Sequence, residues 1–136
     1  MTELLVDMAN VVGSRPDGWW RDRAGANERL LSRLARLPGR SLPGPDGDPV
    51  RVETVVAVVE GRARDVSAPG DVTVIRAPGS GDDALAQHAV EAVHAGRAVL
   101  VVTADRGLRA RLPEAVMVAG PGWLLEQLDR PAAGGE

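Results

Sequence analysis

The chain contains no cysteine, phenylalanine or tyrosine, and with no lysine all 16 of its basic residues are arginine. Each absence removes a class of chemistry. Without cysteine there is no disulfide, no thiolate nucleophile and no zinc–thiolate site. Without lysine there is no Walker-A phosphate grip and no Schiff base. Only 2 histidines are present, which argues against a His-rich metal site. The chemistry left is that of carboxylates, hydroxyls, arginine and two imidazoles.

The composition that is present belongs to an ordinary globule. Apolar residues make up 44% and charged residues 26% of 136 residues, which fits one domain. A chain of this length buries roughly two-thirds of its unfolded surface, enough for a real core. The net charge of −3 argues against a generally basic nucleic-acid binder, though not against a local basic patch. The chain starts Met-Thr-Glu and passes straight into a short apolar run. That start lacks the positive n-region of a signal peptide and the length of a membrane span. A cytoplasmic protein off the membrane is the expectation.

Hydrophobic patterning predicts strands over 4–7, 50–60, 71–76, 97–103 and 115–119. It predicts helices over 22–37, 80–95, 105–111 and 122–128. Residues 13–20 and 38–49 read as loops rich in Gly, Pro and polar residues. The strands are valine-rich and alternate with helices, which predicts a parallel, doubly wound sheet covered on both faces. The link over 61–70 is barely long enough for a parallel crossover. Residues 1–130 read as one domain and 131–136 as a disordered tail.

In open parallel sheets, ligands bind at the carboxyl ends of the strands. Four consecutive predicted strands lead to an acid there: Asp7, Glu60, the pair Asp82 and Asp83, and Asp105. If the first and fourth strands are neighbours, their ends lie about 4.8 Å apart. Asp7 and Asp105 then share a site, which Asp82 and Asp83 join from the start of a helix. Gathered carboxylates repel one another unless a cation is present. Oxygen-only ligands select Mg²⁺ or Mn²⁺ over zinc. Such a site activates water and stabilises a phosphoryl transition state, which points to phosphodiester hydrolysis. Each acid also has a plainer role open to it. Ser80 to Asp83 fits a capping box, and Asp105 or Thr103 suits the cap of the short helix that follows. Glu60 suits a hinge or salt bridge. Asn10 either closes the turn after the first strand or orients Asp7.

At these residues the sequence resembles a known group. Val-Asp-Met-Ala-Asn-Val-Val, from Val6, is similar to the first-strand D-x-x-N signature of the NYN domain, a branch of the PIN-like ribonucleases. Val-Val-Thr-Ala-Asp-Arg-Gly-Leu, from Val101, resembles that family's fourth-strand T-x-D motif, and Asp83-Ala84-Leu85-Ala86 resembles a helix start common among PIN domains. The three motifs come in the expected order along nearly the whole chain. The resemblance implies an α/β, PIN-like (Rossmann-like) three-layer fold with a mostly parallel central sheet of about five strands. It implies a Mg²⁺- or Mn²⁺-dependent endoribonuclease. Asp7, Asp83 and Asp105 carry over as catalytic metal ligands, with Asp82 as a fourth candidate. Asn10, Thr103, Ser80 and Glu60 surround them. The Glu that many PIN domains place on an intermediate helix has no counterpart. The helix after the third strand offers His88 instead, which reads as a packed histidine.

A nuclease must hold a polyanion beside its own acids. Between residues 15 and 40 seven arginines face three acids, Asp17, Asp22 and Glu28. Arg15, Arg21 and Arg23 follow the first strand and suit bidentate phosphate contact. Arg106 follows Asp105 and reads the same way. Trp19 and Trp20 are adjacent, so one covers the core while the other is free to stack on a base. The expected partner is RNA, single-stranded or structured. Two further readings stay open: a degenerate NYN-like RNA-binding or protein-interaction module, and a phosphohydrolase of another Rossmann-like type. Monomer and homodimer also stay open, because no long exposed apolar stripe marks an interface.

Overall fold

The computed structural model describes residues 1–61 and 66–130. In chain order the elements are β1 Thr2–Asp7, α1 Met8–Val12, a 3₁₀ turn Trp19–Arg21, α2 Arg23–Leu34, β2 Ser41–Pro43, β3 Pro49–Val59, β4 Val72–Arg76, α3 Gly81–His94, β5 Ala98–Val102, α4 Arg106–Arg109, β6 Met117–Ala119 and α5 Pro121–Asp129. The expected tail, 131–136, and part of the β3–β4 link, 62–65, lie outside the described residues.

β1 runs between β3 and β5 and is parallel to both. β6 continues parallel from β5, and β4 pairs parallel with the second half of β3. β2 pairs antiparallel with the start of β3, Ser41 opposite Arg51. The sheet is therefore mixed and curled, with six strands where about five were expected. The added strand lies in the stretch read as a loop. It is three residues long, includes Pro43, and is held by a hairpin whose turn places Gly47 at φ 94°. A strand that short carries no readable period. A second difference follows β1 directly. The chain turns at Asp7 into α1, a helix of five residues, too short for helical periodicity to show.

Two cores sandwich the sheet. Along β1, Leu4 and Val6 face α1, α2 and α5, while Leu5 faces α3 and α4. Strand side chains alternate between faces, and both faces are covered, so the run is apolar without a break. In α2, Leu30, Leu31 and Leu34 are buried at helical spacing. The helix stops at Leu34, short of the expected residue 37, because Pro38 and the left-handed Gly39 (φ 85°) lie ahead.

His88 lies far from the strand exits. Its Nε2 is 2.7 Å from Oε2 of Glu3, which is only 5% exposed, and Arg97 donates to the other Glu3 oxygen at 3.3 Å. The histidine partners a buried acid on the sheet, in keeping with a packed role. No helix among the described residues is long and apolar enough to cross a membrane.

Candidate active site

Sheet register builds the centre of the site. Val6 of β1 lies opposite Val102 of β5, so the next residues, Asp7 and Thr103, meet where the strands end. Thr103 is fully buried. Its hydroxyl donates to Asp7 Oδ2 at 2.8 Å and accepts from the Asp105 backbone N–H at 3.1 Å. One threonine thus sets the positions of two acids. Asp7 Oδ1 accepts from the Asn10 N–H at 3.3 Å and caps α1. The Asn10 side-chain oxygen accepts from the Ala104 N–H at 2.8 Å and ties α1 to the β5 exit. Asp105 Oδ1 caps α4 through the Leu108 N–H at 3.0 Å. Arg109 donates back to the Thr103 carbonyl at 3.2 Å.

The other wall comes from β3 and α3. Glu60 follows β3, and its Oε2 accepts from the Gly81 N–H at the first turn of α3. A Cβ at position 81 would lie 2.6 Å from that oxygen, so a larger residue there would push the Glu60 carboxylate aside. Ser80 caps the helix, its hydroxyl accepting from the Asp82 N–H at 3.2 Å. The plainer capping roles of Ser80 and Asp105 are therefore present, alongside the convergence.

Electrostatics show which acids face one another. Burial pushes the Asp7 carboxyl above its usual range; Thr103 and Asn10 oppose this, and the charges of Asp82 and Glu60 add to it. Partial burial also raises the Asp82 carboxyl, with Asp105 and Glu60 reinforcing the effect and Arg111 opposing it. Asp82 and Glu60 thus act on Asp7, and Asp105, Glu60 and Asp83 act on Asp82, along one acidic edge. The Asp83 side chain is 77% exposed and pairs with Arg111 at 2.8 Å, and its charge adds to the others acting on Asp82. Among the described residues no three acidic or imidazole side chains stand ready to hold a metal ion. The donor set still suits a hard cation, being all oxygen and like-charged.

The expected RNA contacts separate into three places. Arg15 lies over α5, where it shares Asp129 with Arg33 at 2.7 and 2.5 Å. Hydrogen bonds from Arg33 and Arg15 hold the Asp129 carboxyl below its usual range. Arg21, Arg23, Trp19 and Trp20 cluster in the turn after α1. Trp19 is half-buried and Trp20 53% exposed; their rings meet edge-on, centroids 6.0 Å apart. The Arg23 guanidinium stands 5.4 Å from the Trp19 ring centre. Arg106 is exposed on α4.

Substituting Thr103 by Val keeps the shape and removes both hydroxyl contacts. We expect a loss of about 1–3 kcal/mol in stability, because the half-buried Asp7 carboxylate loses a donor. Chemical denaturation of the variant measures this; stability equal to wild type would show that the hydroxyl does not hold Asp7.

The fold is α/β, with an acidic edge where the parallel strands end. The chain is similar to the crystal structure of Rae1 (YacP) from Bacillus subtilis, with a TM-score of 0.71 and 17% identity over 95% of this chain and 74% of that chain. A tryptophan-to-leucine variant of the same protein gives a TM-score of 0.67 and 18% identity over 95% of this chain and 76% of that one. No family model matches the chain, and no curated protein matches it in sequence. The likeness is one of fold.

Proposed function

We propose that this chain is a metal-dependent endoribonuclease of the NYN type. One observation carries the reading: Asp7, Glu60, Asp82 and Asp105 come from three neighbouring strand ends and one helix start, and burial, with neighbouring carboxylates adding to it, raises the proton affinity of Asp7 and Asp82. Charge placed at such cost, at the ligand-binding edge of an α/β sheet, favours a functional role. The fold shared with Rae1 supports the α/β architecture on which this reading is built.

In this reading Asp7, Asp82 and Asp105 would hold Mg²⁺ or Mn²⁺, with Glu60 beside them. The cation, when bound, supplies Lewis-acid charge and lowers the pKa of water. Thr103 aims the Asp7 carboxylate, and Asn10 locks the β1 exit against the β5 exit. Glu60 anchors the start of α3 and with it Asp82. The Trp19–Arg23 turn offers stacking surface and positive charge for a single strand.

Metal-free protein incubated with labelled single-stranded and structured RNA is expected to cleave only after Mn²⁺ or Mg²⁺ is added, and to stop when the metal is chelated. One observation favours a second reading, a module that binds RNA without cutting: the carboxylates do not stand ready to hold a metal ion. RNA binding with no cleavage at any metal concentration would replace the first reading by the second.

A further inference from the structure

Asp83 holds a cation at the acidic edge. Its Oδ1 accepts from Arg111 Nη2 at 2.8 Å, and the Arg111 side chain is still 47% exposed. A guanidinium carries five N–H donors in a planar fork, so most of the fork stays open beside that one contact. The Arg111 backbone is fixed from inside the fold. Its N–H donates to the Leu108 carbonyl at 2.9 Å, and Leu108 is buried. The Leu108 N–H donates in turn to Asp105 Oδ1 at 3.0 Å. One short stretch of chain therefore places both an acid of the edge and the arginine beside it. An exposed ion pair of this kind adds little to stability, so the fold does not require it.

Among the charges that act on Asp82, those of Asp105, Glu60 and Asp83 are negative and that of Arg111 is positive. Arg109, on the same stretch, is engaged by the Thr103 carbonyl. An RNA strand brings phosphate to an edge already crowded with carboxylates. A divalent cation offsets two charges only, so the phosphate also needs a cation on the protein. Arg111 and Asp83 rim an open hollow that runs along α3 past Ala86, Gln87 and Val90 to Glu91. Two turns of helix, about 12 Å, separate Glu91 from Asp83. Glu91 repels an anion at the far end, so a phosphate is favoured at the Arg111 end, next to the edge.

We propose that Arg111 binds a phosphate of the RNA strand on the α3–α4 side of the acidic edge, with Asp83 fixing where its guanidinium stands. The proposal rests on the reading of this chain as a protein that acts on RNA. It also gives the strand a direction. Glu60 lines a cleft with Trp19 and Arg23, while Arg111 stands on the Asp82–Asp83 side, so the carboxylates lie between the two.

The test is binding of a short fluorescent single-stranded RNA, without metal, at a series of salt concentrations. Arg111→Gln is expected to melt as wild type does and to bind about tenfold more weakly. It should also make the slope of log affinity against log salt shallower by about 0.7, the share of one phosphate contact on a single strand. Arg111→Lys keeps the charge, so it should keep the wild-type slope. Unchanged affinity and slope in Arg111→Gln overturn the proposal. Weaker binding with an unchanged slope also overturns it, since a merely structural role gives that result, and so does a wild type that binds no RNA. If the glutamine variant does not fold, Arg111→Met, which keeps the aliphatic stem, takes its place. Failure of the ribonuclease reading looks different: Arg111-dependent binding persists, while no RNA is cleaved with Mn²⁺.

Discussion

Replacing Asp7 by Asn is expected to lower metal-dependent RNA cleavage on the order of 10²–10³-fold, the scale seen when one electrostatic contact to a reacting centre is lost. The exchange preserves shape and removes charge from the one acid that touches both neighbouring elements, Thr103 at the β5 exit and Asn10 in α1. Single-turnover cleavage at saturating Mn²⁺ measures it, and activity within a few-fold of wild type would remove Asp7 from the reaction. Stability should move the other way. The folded state holds a proton on Asp7 more tightly than the unfolded chain does, since burial raises its affinity. Its contribution to stability is therefore fully present below the ordinary carboxyl pKa and is lost as pH rises through the raised folded value. In metal-free buffer, the melting temperature of Asp7→Asn relative to wild type should climb as pH rises from the ordinary carboxyl pKa through the raised folded one. A flat or falling difference would show that the ionised carboxylate is not under strain. Added Mn²⁺ should stabilise wild type more than the variant, because binding to the folded state alone raises its stability.

The second large effect separates two adjacent acids. Asp82→Asn is expected to cost about 10²-fold or more in cleavage. Asp83→Asn should stay within about fivefold, because an exposed ion pair contributes at most about 1 kcal/mol. Successive helix residues point about 100° apart, so Asp82 and Asp83 do not both face the edge. Asp82 is the one whose carboxyl responds to Asp105 and Glu60, while Asp83 pairs with Arg111. The motif resemblance favours Asp83. Matched cleavage assays on the two variants decide between them, and a greater loss for Asp83→Asn would restore the assignment by motif.

Much of the site was legible in the sequence because strand ends are legible. Short valine-rich runs that stop at an acid place Asp7, Glu60 and Asp105 near one edge of any parallel sheet. Ser80 as a helix cap was legible for the same local reason. Glu60 is legible as an acid at a strand end, with a hinge or salt bridge as its plainer role; its grip on the Gly81 N–H is a contact between distant segments that no local pattern shows. Arg15, expected as a phosphate contact, pairs with Asp129 on α5, 114 residues away, a partner no local pattern reveals.

What the sequence determined by itself is local. It set the alternation of strands and helices, the aliphatic runs buried on both faces, the acids at strand exits and the arginines around residues 15–40. These follow from period, propensity and capping, which act over a few residues. Tertiary structure decided the rest: the β1–β5 register that brings Thr103 under Asp7, the turn of α3 that pairs Asp83 with Arg111, and the antiparallel β2. Each depends on which surfaces meet across a long stretch of chain, and packing between distant elements leaves no periodic trace in either one alone.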